Sequence, residues 1–378
     1  MAAAISFIDL QAQRRRLGEP LNRAILAAVE SGQWVMGPQV AELEEKLAAF
    51  AGVKHCVACA NGTDALMIVL RAWNVGPGDA VFVPAFTFAA SAEVVALVGA
   101  SPVFVDVLED TFNMDPASLE SAIAMTRRDG KLRPRVVMPV DLFGQPADYP
   151  VLEAIAAREG LKMLCDTAQG FGGILDGRRT GGIGDAASTS FFPAKPLGCY
   201  GDGGATFTND DGLDELLRSI RIHGQGSDKY ENVRIGVNSR LDTIQAAILL
   251  EKLKIFPDEI KKREEIARRY SETLGKSNKI RVPRVIPGAQ STWAQYTIQV
   301  PNRDEVQAAL KAKGVPTAIY YTIPLSQQKG YQAYPSAPTP VSHALGKTVI
   351  SLPMHPYIDE QTLETIIGAV LECVEKAS

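Results

Sequence analysis

Cysteine is scarce. Five occur in 378 residues, an odd number without framework spacing, which argues against a disulfide scaffold and for a reducing, cytoplasmic setting. No apolar run reaches the roughly 18 residues a membrane helix needs. The N-terminal Met-Ala-Ala-Ala-Ile-Ser-Phe has no positive stretch ahead of an apolar core. Neither a membrane span nor a signal peptide is expected. Charge of one sign is missing too: 39 Lys and Arg face 43 Asp and Glu, a net charge of -4, which gives no footing for binding nucleic-acid phosphates. The short basic clusters Arg14–Arg16 and Lys261–Arg263 read as solvated helix faces.

Several chemical signatures are also absent. The four histidines, His55, His223, His343 and His355, show no metal-like spacing, and no metal site is expected. Gly170-Phe171-Gly172-Gly173 lacks the third spaced glycine of a dinucleotide fingerprint, because position 175 is Leu. Gly346-Lys347-Thr348 lacks the earlier P-loop glycine, because position 341 is Val. Ser188 and Ser190 lie in no nucleophile-elbow pattern. Cys56-Val57-Ala58-Cys59 sits inside a strand candidate, which favours core packing over a metal or redox role.

What is present is an alternation. Apolar strand candidates at His55–Ala60, Ala80–Pro84, Pro102–Asp106, Arg135–Val140, Leu161–Asp166, Ala187–Phe192 and Gly204–Thr208 are interleaved with helical patterns. The helices are Thr63–Trp73, Ala89–Val98, Pro116–Ala124 and Tyr149–Glu159. Together they predict an α/β fold with a mostly parallel seven-stranded sheet covered by helices on both faces. Ligands of such sheets gather at the carboxyl ends of the strands. Later, Leu241–Ile255 and Ile260–Leu274 read as two long helices. Strands at Trp293–Val300 and Pro316–Tyr321, with a helix at Asp304–Lys313 between them, then Gln361–Ala377 as a helix, suggest a smaller α/β domain. Gln328–Pro340 reads as a surface loop. The expected division is residues 1–250 for a large domain and 251–378 for a small one.

Two residues carry the chemistry. Asp166 ends an apolar strand, where it either caps the next turn or sets its charge against a protonated ring nitrogen. Lys195 is flanked by Phe191, Phe192, Pro193, Pro196 and Leu197. Such a setting suits an imine-forming amine that also shuttles protons, against the alternative of a snorkelling loop lysine. Asn61-Gly62-Thr63 opens a helix after a strand, a place that favours a phosphate or is an ordinary capped turn. The combination points to pyridoxal phosphate.

These pieces, in this order, resemble the DegT/DnrJ/EryC/StrS sugar aminotransferases of the fold-type I pyridoxal-phosphate superfamily. The resemblance runs from Phe7–Leu10 to Ser351–His355. Its landmarks include Gly37-Pro38, Gly62–Leu66, Pro84–Phe88, Asp166–Gln169, Ser190–Lys195, His223-Gly224 and Gly236–Arg240. It implies that Lys195 is catalytic and bonds the cofactor, with Asp166 on the pyridine nitrogen and Gln169 near the ring hydroxyl. It implies Phe88 on the ring face and Gly62, Thr63 and Ser190 on the phosphate. Asn238 would reach the phosphate of a neighbouring subunit, making the active unit a homodimer. Arg240, Tyr320 and Tyr321 would meet substrate. The cofactor would alternate between pyridoxal 5'-phosphate and pyridoxamine 5'-phosphate.

Within the family, Ser190–Gly204, Ile235–Thr243 and Tyr321–Leu325 are most similar to a branch that aminates C3 of UDP-2-acetamido-2-deoxy-3-oxo-glucuronate with glutamate for bacterial surface polysaccharides such as O-antigen. Tyr320 departs from that branch, which places His there. The alternatives are an aminotransferase for another nucleotide-linked 3- or 4-keto sugar, a dehydratase using pyridoxamine phosphate, and a non-catalytic cofactor-binding regulator. Dehydratases of the group carry His where this chain has Lys195, and a regulator should have lost Lys195 or Asp166.

Overall fold

A computed structural model describes residues 5–228 and 230–377. Seven strands form the central sheet: β1 (His55–Cys59), β2 (Asp79–Pro84), β3 (Ser101–Val105), β4 (Arg133–Val137), β5 (Lys162–Asp166), β6 (Ala186–Ser190) and β7 (Gly204–Thr208). Their spatial order is β1-β7-β6-β5-β4-β2-β3. β7 alone runs antiparallel, pairing with β1 on one side and β6 on the other. The other four pairings are parallel.

Side chains alternate across the pleat, so each strand feeds two cores. One face buries Cys56, Ala58, Phe82, Val103, Val137, Met163, Cys165 and Phe207. Against it pack α2 (Pro38–Ala51), α5 (Pro116–Asp129) and α6 (Tyr149–Glu159). The other face buries Val57, Cys59, Val81, Val83, Val136 and Leu164 against α3 (Gly62–Ala72), α4 (Ala90–Leu97) and α7 (Asp211–Ile220). Burial on both sides explains why these strands read as unbroken apolar runs. Cys56 and Cys59 lie within this packing, and burial holds both thiols above their ordinary pKa.

A smaller unit follows. β8 (Tyr296–Gln299) and β9 (Val349–Leu352) pair antiparallel, with α9 (Arg303–Ala312), α10 (Pro340–Thr348) and α11 (Glu360–Lys376) alongside. α8 (Thr243–Leu274) joins the two units. Its Ala246, Leu249 and Phe256 belong to the large core, and its Ala267, Tyr270 and Leu274 to the small one.

Four expectations are corrected here. The two helices expected on either side of Pro257 are one continuous helix. Proline removes one ladder hydrogen bond, while Phe256, Glu259 and Ile260 around it are all buried, and α8 packs along both α1 (Leu10–Glu30) and α2. The expected strand at Pro316–Tyr321 is reduced to one bridge, Ala318 to Ser351, because Ile319, Tyr320 and Tyr321 turn to pack against Phe86, Val107 and Phe143. Gln328–Pro340 does more than cross the surface. Phe104 N–H donates to the Pro335 carbonyl at 3.0 Å and Ala337 N–H to the Phe104 carbonyl at 2.9 Å, so the segment closes the free edge of β3. Finally, Arg263 is buried rather than solvated. Its guanidinium donates to the carbonyls of Trp293 at 3.0 Å and Met354 at 3.2 Å, tying α8 to the small unit.

Candidate active site

The carboxyl ends of β1, β2, β5 and β6 open onto one cavity of about 440 Å³. Its lining includes Gly62, Thr63, Phe88, Asp166, Gln169, Ser190, Lys195, Tyr320 and Tyr321. Residues from five separate segments thus meet where sheet topology places a ligand.

Asp166 is the last residue of β5 and is buried. Its Oδ2 accepts from Ser91 Oγ at 3.0 Å and its Oδ1 from the Ala168 N–H at 3.2 Å. The capping alternative is thus observed: one oxygen caps the turn while the carboxylate faces the cavity. Burial pushes its pKa up, against the two hydrogen bonds and the charge of Lys195. Burial lowers the pKa of the Lys195 amine, and Asp166 opposes that. A lysine whose charge is penalised this way is a better nucleophile and base near neutral pH.

The Lys195 loop is held from behind. Lys195 N–H donates to the Phe192 carbonyl at 2.8 Å, and Cys199 N–H to the Phe191 carbonyl at 2.7 Å. The buried Lys252 of α8 reaches the Gly198 carbonyl at 2.6 Å. Burial lowers the Lys252 pKa to about 8, and Glu259 opposes that fall.

The N-terminus of α3 forms another wall. Asn61 Oδ1 caps the Asp64 N–H at 2.8 Å. The N–H groups of Gly62 and Thr63 precede the first intrahelical donor, Ala65, so they are free for an anion. A Cβ at Gly62 would stand 2.6 Å from Ser190 Cβ, so glycine is what lets this end approach Ser190. Gly62, Thr63 and Ser190 thus line one corner of the cavity, where helix N-terminal N–H groups suit an anion.

Gln169 is oriented by its neighbour. Its Oε1 accepts the Phe143 N–H at 2.7 Å, which turns Nε2 towards the Tyr321 hydroxyl, 3.5 Å away. Burial pushes the Tyr321 phenol up, so it stays protonated. The Phe88 and Tyr321 rings are 6.4 Å apart, and Phe88 keeps 56% of its surface exposed towards the opening. An amine, a carboxylate, an anion cradle, an aromatic face and an amide donor fit the aldehyde, ring nitrogen, phosphate, ring and hydroxyl of pyridoxal phosphate.

Two expected site residues stand apart. Asn238, exposed, and Arg240, half-buried, do not line this chain's cavity. Other lining residues were assigned no role at the site from sequence: Thr87, Phe192, Asp202 and Gln295. Gln295 Oε1 is buried and has no hydrogen-bond partner among the described residues. A second cavity, of about 470 Å³, lies between α5 and Pro335-Ser336, away from all of these groups.

The fold and this site define a fold-type I aminotransferase that uses pyridoxal phosphate. Residues 16–371 match the model of the DegT/DnrJ/EryC1/StrS aminotransferase family. The chain belongs to that family. It is 48% identical over 366 residues to the UDP-2-acetamido-2-deoxy-3-oxo-D-glucuronate aminotransferase of Pseudomonas aeruginosa, covering 97% of this chain and 99% of that one. A family member of known structure from Brucella abortus is 53% identical, with a TM-score of 0.96 over 98% of this chain and 100% of that chain. A Bacillus subtilis protein solved with bound cofactor PMP is 27% identical, with a TM-score of 0.88 over 100% of this chain and 86% of that chain.

Proposed function

We propose that this enzyme transfers the amino group of L-glutamate to C3 of UDP-2-acetamido-2-deoxy-3-oxo-D-glucuronate, in the cytoplasm, for bacterial surface polysaccharide such as O-antigen. The observation that carries the reaction is Lys195 and Asp166 facing one cavity beside the Gly62–Thr63–Ser190 cradle. The likeness to the Pseudomonas aeruginosa enzyme over almost the whole of both chains supports the sugar.

Bound pyridoxal phosphate supplies a ring that takes up the electron pair left when a carbon loses its proton. The protein does the rest. Lys195 would hold the cofactor through its amine, and that amine, its charge disfavoured by burial, would be the group that takes up and returns a proton. Asp166 would hold the ring nitrogen and Gln169 the ring hydroxyl, and Phe88 would cover the ring face. Tyr320 and Tyr321 close the cavity beside the small unit and meet the substrate. Glutamate would enter first, give up its amino group and leave as 2-oxoglutarate, with water supplying the keto oxygen. The keto-sugar would then take the amino group, its carbonyl oxygen leaving as water.

The active unit in this reading is a homodimer. Trp34, Val35, Met36, Val233 and Ile235 are exposed apolar residues at 57%, 47%, 40%, 50% and 80%. The first three lie beside the segment that follows Asn238 and Arg240: Val35 bridges Asp242, and Thr243 N–H donates to the Trp34 carbonyl at 2.9 Å. An exposed apolar patch is what a partner covers, and it would present Asn238 and Arg240 to the neighbouring cavity. A cation at Arg240 suits the carboxylate of a uronate.

The test is an absorbance spectrum of the holoenzyme during two separate additions. Glutamate alone should bleach the yellow cofactor band, and the UDP-linked 3-keto-uronate should restore it. Bleaching without recovery would keep the transaminase and reject this sugar. Tyr320, standing where the resemblance places His, makes another nucleotide-linked keto-sugar the second reading.

A further inference from the structure

Ser91 is a fully buried hydroxyl in α4, among the buried Ala90, Ala92, Val94 and Val95. Its surroundings are apolar, so its hydrogen-bond partners decide its worth. Among the described residues there are two. Its Oγ lies 3.0 Å from Asp166 Oδ2 and 3.3 Å from Thr87 Oγ1. An ionised carboxylate only accepts, so the single Ser91 proton goes to Asp166. The Ser91 oxygen is then left to accept the proton of Thr87. A chain of donors runs from Thr87, on the cavity wall, through Ser91 to Asp166. The other carboxylate oxygen is fixed by the Ala168 N–H. Each oxygen of Asp166 thus has one protein donor.

We propose that Ser91 is a positioning residue that keeps Asp166 ionised and aimed at the ring nitrogen of the bound cofactor, with Thr87 polarising it. The inference rests on the reading of Asp166 as the partner of that nitrogen. A donor to the carboxylate favours its charged form, so the proton between Asp166 and the ring resides on the ring nitrogen. Without the hydroxyl the carboxylate becomes more basic and draws the proton back. Loss of one hydrogen bond to a charged group corresponds to about a tenfold change in that proton's distribution.

The experiment loads wild type, Ser91→Ala and Ser91→Thr with pyridoxal phosphate labelled with ¹⁵N in the ring, and reads the nitrogen chemical shift beside steady-state kinetics. Alanine is smaller and a better helix former, so α4 should persist. Wild type should show a protonated ring nitrogen. Ser91→Ala should move the signal towards the unprotonated position and lower kcat about tenfold, with KM for both substrates nearly unchanged. Ser91→Thr should restore the wild-type signal. An unmoved signal in Ser91→Ala, with wild type protonated, overturns the role of Ser91 alone. An unprotonated nitrogen in wild type overturns the reading of Asp166, and this inference with it. Should Ser91→Ala not fold, Thr87→Val carries the same test, with a smaller displacement in the same direction expected and none overturning the chain.

Discussion

Lys195 and Asp166 were legible because each breaks a rule of its surroundings. A lysine among Phe191, Phe192, Pro193 and Leu197, and a carboxylate ending an apolar strand, both cost burial unless they have a task. Ser91 was not legible: it sits between two alanines, and its partner lies 75 residues away. Gln295 was missed for the same reason, since only the fold brings it to the cavity. Lys195→Ala should lower turnover by at least about a thousandfold. Circular dichroism should show the fold intact, and substantial residual turnover would contradict the assignment. Asp141 makes a second prediction at this scale. It is fully buried, and its Oδ1 accepts from the Tyr149 hydroxyl at 2.6 Å and the Ala147 N–H at 2.9 Å, while Oδ2 has no partner among the described residues. Burial pushes its pKa up to about 7, against those two hydrogen bonds. The folded chain therefore keeps a proton that the unfolded chain releases near its ordinary value of 3.8. The stability this supplies is complete below that value and is lost as pH rises through about 7. Asp141→Asn removes the titration. Urea unfolding at several pH values should show wild type losing ground to the variant between those limits, whereas a constant difference would refute the raised value.

At the scale of elements, all seven strands of the sheet were readable, because strands buried on both faces leave unbroken apolar runs. What the sequence hid were elements decided by distant partners. Helix α8 continues through Pro257 because α1 and α2 pack along it. Pro316–Tyr321 loses its pairing because its aromatic residues have a better place against Phe86 and Phe143. The meeting of α3 with β6 is tight enough to test. A methyl at position 62 would sit 2.6 Å from Ser190 Cβ, so Gly62→Ala must push the helix end away from Ser190 and from the proposed phosphate position. Overpacking of this kind costs about 1–3 kcal/mol, so the dissociation constant for pyridoxal phosphate should rise roughly tenfold or more. Fluorescence titration of the apoprotein measures it, and unchanged affinity would remove the phosphate from this wall.

At the scale of the molecule, the composition excluded much and the likeness in motif order identified the family, while the proposed sharing of a site between two chains rests on the resemblance and on where Asn238 and Arg240 lie. Asn238 and Arg240 lie outside their own cavity, beside an apolar surface. Ile235→Glu places a charge on that surface, and an unpaired charge buried at an interface costs several kcal/mol. Light scattering should find wild type at twice the 40.7 kDa chain mass and the variant shifted towards single chains. Turnover should fall together with dimer content, and a fully active single chain would contradict the shared site.

The central claim is amino transfer from glutamate to C3 of the keto-uronate. Incubating the holoenzyme with ¹⁵N-glutamate and UDP-2-acetamido-2-deoxy-3-oxo-glucuronate, and locating the label by NMR, tests it most directly. The account predicts ¹⁵N bonded to sugar C3, with one 2-oxoglutarate formed for each labelled sugar. A sugar without label, while glutamate is still converted to 2-oxoglutarate in the first half-reaction, would contradict it.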